Sequence, residues 1–318
     1  MKKRSIITIA VGKPYYLKLA ENLLKSFLIW NGGDIFFLLL TDNISFFEKY
    51  KGFANVGIEL IQLEDEDKSF TSKFKLVDHM IAEENIFIDC DCLIYHDLGP
   101  VFSAFQDKNF SAIGHALTDG EFFGNVKAIM KQFHISNMPH FVGSLYYFKN
   151  NSRARQIFEK AIELKARYDQ LGLVRLRGRE NEEPLFSIAM ALYGETVLPD
   201  DRNIKVDLMY YEKISSNVIT GKAQAKGPIK TLMIGSSYPE STHPFILHFN
   251  GHFSDGFNYR SESFRLNHAG TNRFLLESAV YLGLYLPEVF INALKRSLRP
   301  AYNRMLGYRR IKKSDRLD

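Results

Sequence analysis

Two carboxylates one residue apart, Asp89 and Asp91, stand inside the run Asn85-Ile86-Phe87-Ile88-Asp89-Cys90-Asp91-Cys92-Leu93-Ile94-Tyr95. The run is β-branched and aromatic, so it reads as a buried strand. A carboxylate buried there is costly unless a cation or hydrogen bonds meet it. Successive side chains of a strand face opposite ways, which puts Asp89 and Asp91 on one face and Cys90 and Cys92 on the other. Two hard oxygen ligands at a strand end suit Mg²⁺ or Mn²⁺, with substrate phosphates completing the shell. The alternative is that the aspartates cap a turn behind the strand, a place Asp favours. The apolar residues on both sides favour metal.

The surrounding elements must bring that run to a ligand. Ser5–Val11 reads as a first strand, broken by Gly12-Lys13-Pro14. Tyr16–Trp30 has Leu19, Leu23, Phe27 and Trp30 at helical spacing and stops at Asn31-Gly32-Gly33. Ile35–Leu40, nearly all apolar, reads as a strand covered on both faces. Ile44–Tyr50 reads as helical, Val56–Leu63 as a third strand and Lys73–Glu83 as a helix leading into the Asp-x-Asp strand. Gly114–Asn137 reads as loop-rich, Phe141–Lys149 as a strand, Arg153–Tyr168 as an amphipathic helix and Leu171–Asn181 as a loop on the acceptor side. Strand–helix alternation implies an α/β fold with a mostly parallel sheet, which binds ligands at the carboxyl ends of its strands. Ala10-Val11-Gly12 and Asp89-Cys90-Asp91 both fall at such ends, which favours a nucleotide site between them.

Ile88-Asp89-Cys90-Asp91-Cys92-Leu93 resembles the Asp-x-Asp element of nucleotide-sugar glycosyltransferases with the GT-A fold, most of all glycosyltransferase family eight, the glycogenin-like and lipopolysaccharide-galactosyltransferase group. Ala10-Val11-Gly12-Lys13-Pro14-Tyr15 resembles that family's first-strand motif Ala-x-Asp-x-x-Tyr, which implies contact of Ala10, Val11, Gly12 and Tyr15 with the donor nucleotide. Gly12 stands where the family has Asp. Lys73 falls where the family carries a Lys or Arg near the nucleotide sugar, with Lys75 as competitor, and Cys90 joins the donor contacts. Val142-Gly143-Ser144 falls at the family's Asn-Ser-Gly, which places Gly143 and Ser144 at the donor sugar and acceptor; Phe141 replaces the aligned Asn. Asn181-Glu182-Glu183-Pro184-Leu185-Phe186 resembles Asp-Gln-Asp-x-Leu-Asn by place and polarity, and makes Glu182 and Glu183 the catalytic candidates. The same residues also read as a helix start, with Pro184 and two acids in the first turn.

Phe245-Ile246-Leu247-His248-Phe249-Asn250-Gly251-His252 resembles the family's His-Phe-x-Gly. It implies that His248 completes a metal shell begun by Asp89 and Asp91, with Gly251 and His252 beside the diphosphate. An imidazole among oxygen ligands tilts the preference towards Mn²⁺. Ser254-Asp255-Gly256-Phe257 replaces the family's Lys-Pro-Trp, so His252 or Arg260 would substitute for the missing Lys.

At 318 residues the chain can bury a substantial core. Its 46% hydrophobic and 24% charged residues are those of a soluble globular protein and exclude disorder throughout. The net charge of +5 gathers after Arg260, while Glu64-Asp65-Glu66-Asp67 is an acidic run in a loop. Both cysteines lie in Cys90-Asp91-Cys92, too constrained for a relaxed disulfide, so they read as free thiols of a reducing, cytoplasmic compartment. No signal peptide is read at the N-terminus, and no apolar run reads as long enough to span a bilayer, because Glu277, Pro287 and Glu288 interrupt Phe274–Leu294. The basic residues Lys295, Arg296, Arg299, Arg304, Arg309, Arg310, Lys312 and Lys313 are interleaved with aromatic and aliphatic ones. That pattern suits a helix on an anionic membrane surface, at the inner face. A helical appendage used for packing or homo-oligomer contact is the alternative, and nucleic acid is not expected.

The expectation is a catalytic domain over residues 1–265 and a helical basic tail over 266–318. The function implied is metal-dependent transfer, with Mn²⁺ or Mg²⁺, of a sugar from a nucleotide-sugar donor, uridine-linked by the resemblance, to a glycan or lipid-linked acceptor. Retention and cell-surface polysaccharide synthesis follow from the same resemblance. The alternatives are a nucleotidyltransferase on a similar core, which would carry a better Gly-rich phosphate loop than Gly12-Lys13-Pro14, and a non-catalytic sugar-nucleotide-binding protein.

Overall fold

The computed structural model describes residues 2–63, 70–229 and 238–307. The acidic run 64–67 and the basic residues Arg309, Arg310, Lys312 and Lys313 lie outside them.

Strand β1 (Lys2–Ala10) leads through Gly12 into helix α1 (Pro14–Trp30), and then come β2 (Ile35–Thr41) and β3 (Val56–Leu60). Pro14 opens α1 because the first helical N–H needs no partner. A ten-residue 3₁₀ segment, Phe70–His79, precedes β4 (Ala82–Ile88). The helix expected over Lys73–Glu83 is therefore corrected. Its first part coils more tightly and its last two residues already belong to β4, whose register on β1 begins at Lys2↔Ala82.

After β4 come β5 (Cys92–Ile94), α2 (Gly99–Ala104), β6 (Phe110–Leu117), α3 (Val126–Phe133), β7 (Met138–Lys149), α4 (Ser152–Lys165) and α5 (Glu182–Leu192). Gly114–Asn137, read as loop-rich, thus holds the end of β6 and a two-turn helix. Asn125 caps α3 by accepting from the Ala128 N–H at 3.0 Å, a polar local signal that weak periodicity hid. Then follow β8 (Leu198–Pro199), β9 (Lys205–Asp207), β10 (Tyr211–Asn217), β11 (Lys222–Pro228), β12 (Ser241–Thr242), β13 (Ile246–His248), α6 (Phe257–Asn267), α7 (Arg273–Val280) and α8 (Leu286–Leu306).

The main sheet has the order β3-β2-β1-β4-β7-β6-β8. Strands β3, β2, β1 and β4 run parallel, and β7 is antiparallel to both its neighbours. Alternate residues of the parallel strands feed two cores. Ile7, Ile9, Leu38, Leu40 and Phe87 pack with α4 and α5, whereas Ile6, Ala10, Phe37, Leu39, Ile86 and Ile88 pack with α1. This is the α/β architecture expected from the sequence: a largely parallel sheet flanked by helices, with a long C-terminal helix. A second sheet, β5-β13-β9, lies at the carboxyl side of β4, and a third is antiparallel, β10-β11-β12.

The C-terminal helical stretch corrects another expectation. Arg273–Met305 is continuous helix through a π turn at Tyr281–Tyr285, 33 residues with a mean hydropathy of 1.5 in its most apolar window, mostly outside the core. By length and composition alone it could cross a bilayer, which is weak evidence for membrane contact. The supposed interruptions do not break it. Glu277 is paired with Arg265 at 2.9 Å, and Pro287 sits in the first turn of α8.

Candidate active site

The run around Asp89 and Asp91 is not one strand. Strand β4 ends at Ile88 in the main sheet, and β5 starts at Cys92 in the second sheet, paired with β13 at Cys92↔His248. Asp89-Cys90-Asp91 is the turn between them, closed by the Cys92 N–H donating to the Asp89 carbonyl at 3.0 Å. The expectation that both aspartates share one strand face is corrected, because the chain changes sheets between them. Their side chains find different partners.

Asp89 faces Lys73. The Lys73 ammonium lies 3.2 Å from Asp89 Oδ1 and 2.8 Å from Glu182 Oε1, and donates to the Gly143 carbonyl at 2.7 Å. The Gly143 N–H donates to Glu183 Oε1 at 2.7 Å, so one residue of β7 touches both the cation and the second acid. Only a glycine fits this contact, since a Cβ at Gly143 would stand 2.6 Å from both Glu182 Oε1 and the Tyr146 hydroxyl. Asn181 caps α5 and accepts from the Glu183 N–H at 3.2 Å, so the helix-start reading and the clustering of the two glutamates hold together. Burial raises the carboxyl pKa of Asp89, Glu182 and Glu183, against the pull of Lys73; Glu183, with Glu182's charge beside it, is pushed up to about 7.

Asp91 faces His248. His248 Nε2 is 3.1 Å from Asp91 Oδ1, and Nδ1 is 2.5 Å from Asp207 Oδ1. These side chains come from adjacent strands in register, since β13 pairs β9 at His248↔Asp207. Lys205 Nζ donates to both oxygens of Asp207 at 2.9 and 3.0 Å and to Ser144 Oγ at 2.7 Å. Arg202 lies 3.4 Å from Asp207 and 3.2 Å from Asp200. Burial opposes charge on His248, but Asp91 and Asp207 outweigh it and raise the imidazole to about 10. Burial also opposes the charged form of Asp207, yet Lys205, His248 and Arg202 hold it well below the carboxylate range; at Asp91 burial is likewise outweighed, chiefly by His248, and the carboxyl is lowered.

The carboxyl ends of β1 and β2 border this region. Ala10 is buried, and Gly12, exposed with φ +86°, donates its N–H to Asp42 Oδ2 at 2.8 Å. A neighbouring carboxylate thus stands next to the position where Gly12 lacks one. Tyr15 donates its hydroxyl to Ser254 Oγ at 2.6 Å, and Ser254 donates to the Gly251 carbonyl at 2.6 Å. The negative charges of Asp255 and Asp91 both act on the Tyr15 hydroxyl, behind burial in raising its pKa. Val11 and half-buried Cys90 lie at the same edge, and Tyr16 feels the charges of Cys90, Arg177, Asp91 and Asp89. His252 is exposed and packed on Phe253, 4.1 Å between ring centroids.

Asp207, Lys205, Arg202 and Asp42 escaped the sequence reading. Within Ile204-Lys205-Val206-Asp207-Leu208, two opposite charges two residues apart in an apolar run signal a buried ion pair on one strand face. Nothing local pointed Asp207 at His248.

The donor chemistry can be tested against a divalent cation. Asp91, Cys92 and His248 bring one donor atom each within 4.8 Å of one another; Asp89 is not part of that group among the described residues, being held by Lys73. Burial, then the charges of Asp91 and Asp89, keeps the Cys92 thiol protonated, a poor ligand for a hard ion. Asp91 offers an oxygen to Mn²⁺ or Mg²⁺, and His248 offers Nε2 once the ion displaces the proton that Asp91 and Asp207 otherwise stabilise there; the Asp207 carboxylate on Nδ1 orients the ring as in carboxylate–histidine–metal groups.

No protein-family model and no curated protein matches the chain. It is similar to solved glycosyltransferases. The glycosyltransferase GlyE of Streptococcus pneumoniae TIGR4 is 15% identical over 64% of this chain and 46% of its own, with a TM-score of 0.43. The apo form of GlyE gives 14% identity, 89% and 64% coverage and 0.49. The galactosyltransferase LgtC, solved with donor and acceptor sugar analogs, gives 14%, 78% and 87%, and 0.48. This chain spans less than two thirds of either GlyE chain, and similarity so distant carries neither activity nor substrate across.

Proposed function

We propose that the chain is a divalent-cation-dependent glycosyltransferase. It moves a sugar, with retention, from a uridine-diphosphate-linked donor to a glycan or lipid-linked acceptor in cell-surface polysaccharide synthesis. The observation that supports this best is the rung from half-buried Asp91 to buried His248 and Asp207, beside the Asp89–Lys73–Glu182 cluster, at the carboxyl ends of parallel strands. Asp91 and His248 hold the cation, Asp89 being close enough to feel both their charges. A bound Mn²⁺ or Mg²⁺ supplies positive charge to the diphosphate leaving group. Lys73 adds fixed positive potential and keeps Asp89 and Glu182 in place. Glu183, titrating near neutrality, accepts hydrogen bonds from sugar or acceptor hydroxyls and can hold or release their protons. Tyr15, Gly12 and Gly251 border the nucleotide. Residues 1–265 form the catalytic unit, and the helix beyond, with Lys295, Arg296, Arg299 and Arg304 among exposed Phe290, Leu294, Leu298 and Tyr302, docks on an anionic cytoplasmic membrane face.

Titration calorimetry of UDP with and without Mn²⁺ tests the reading, and an affinity indifferent to metal would sink it. Asp91→Asn and His248→Ala each lower donor hydrolysis about a thousandfold, the several kcal/mol a Lewis-acid metal contributes, while far-UV circular dichroism stays unchanged.

A further inference from the structure

A cavity of about 380 Å³ lies between the body and α8. That volume is within the range of small-ligand sites. Its walls are mostly apolar: Leu208, Phe253, Phe257, Tyr285 and Val289. Two contacts fix the helix over it. The Phe257 and Tyr285 rings meet edge to face at 5.8 Å between centroids, and Arg260 pairs with Glu288 at 2.5 Å. The cavity is next to the candidate active site along the chain. Leu208 directly follows Asp207, and Phe253 directly precedes Ser254, the residue that accepts the Tyr15 hydroxyl. On its other side it meets a helix whose Leu282, Leu286 and Phe290 are exposed, 62%, 41% and 69%. Its polar lining residues, Asn258, Glu288 and Asn292, can meet hydroxyls at the edge without burying an unpaired group.

We infer that this cavity holds the alkyl chain of an amphiphilic acceptor, with the acceptor's sugar end towards Asp207 and Ser254. The inference rests on the glycosyltransferase reading for the word acceptor, but not for the binding itself. A single chain is favoured over a protein segment because the space is small, apolar-walled and continuous with the exposed apolar residues of α8. An acyl or prenyl chain could reach it along that helix from a lipid surface. The cavity thereby gives the start of α8, held by Arg260 and Phe257, a role in substrate choice.

The test uses the full chain and n-alkyl β-D-glucosides from butyl to decyl below their micelle concentrations, followed by titration calorimetry. Affinity rises about fourfold per added methylene until the cavity is filled, as burial of each CH₂ requires. Val289→Trp and, separately, Asn292→Phe fill the cavity from the exposed side of α8. Each weakens octyl glucoside at least tenfold and leaves Mn²⁺-dependent UDP binding unchanged. Affinity independent of chain length overturns the inference, as does a chain-length dependence that both variants retain, which would mean that the chain lies on the open helix face. Absence of Mn²⁺-dependent UDP binding in the unaltered chain, with alkyl binding intact, would instead overturn the glycosyltransferase reading alone.

Discussion

Asp89 and Asp91 are two residues apart, yet they sit in corners of opposite electrostatic character. In the first corner one cation, Lys73, serves Asp89, Glu182 and at longer range Glu183, and all three carboxyls are raised. In the second, Asp91 and Asp207 meet His248, Lys205 and Arg202, and both carboxyls are lowered. Burial opposes charge in both corners, so the cations in direct reach of each carboxylate decide the sign; at Asp200, which shares Arg202 with Asp207, burial outweighs the cations and the carboxyl is raised. An acid-rich corner keeps protons available near neutrality, which suits handling of hydroxyls. A cation-rich corner keeps its carboxylates ionised, which suits holding an imidazolium or, in exchange for its Nε2 proton, a metal. Strand β7 separates the two within one dipeptide, since Gly143 bonds Lys73 and Glu183 while Ser144 bonds Lys205.

Removing the single cation should have the largest effect. Lys73→Met leaves half-buried Asp89 and buried Glu182 without their partner, at a cost of about 3 kcal/mol or more in urea denaturation at pH 7.5. The loss shrinks at pH 5, where the raised carboxyls take up protons; an equal loss at both pH values would break the comparison. Asp207→Asn comes next. The His248 ring loses its charged partner while Lys205 keeps Ser144, so Mn²⁺ affinity, read as free Mn²⁺ by electron paramagnetic resonance, falls 10- to 100-fold with the fold retained. Unchanged affinity would reduce Asp207 to a structural ion.

The smallest effect concerns pH. The Glu183 carboxyl titrates near 7 in the fold and near 4.5 when unfolded, so the folded state holds the proton more tightly. Its contribution to stability is complete below about pH 4.5 and is lost as the pH rises through about 7. Glu183→Gln keeps an acceptor for the Gly143 N–H and removes this titration. The variant should gain roughly 2 kcal/mol at pH 8 relative to pH 5, measured against the wild type, and a parallel pH profile would refute the assignment.

Much of the first corner was legible in the sequence. Strand β1, helix α1 and strand β2 fall within a few residues of their expected bounds, because Gly-Pro and Asn-Gly-Gly punctuate apolar runs of clear period. Lys73, Gly143, Glu182 and Glu183 were each singled out, and the structure brings them together with Asp89. The second corner was legible only in Asp91 and His248. Asp207 reaches His248 across a strand pairing 41 residues apart, a register that no local period encodes. The sheet change after Ile88 was hidden for a related reason. Ile86-Phe87-Ile88 and Cys92-Leu93-Ile94 are equally apolar because each is buried in its own sheet, so periodicity read them as one strand. The helix expected over Lys73–Glu83 failed where the pairing of β4 with β1 claimed Ala82 and Glu83.

That change of sheet makes the spacing of the two aspartates a property of covalent length. Ile88 is fixed by its pairing with Leu145, and Cys92 by its pairing with His248. Only three residues bridge these anchors, so the turn has no slack to redistribute. An insertion there would displace one acidic group relative to the other.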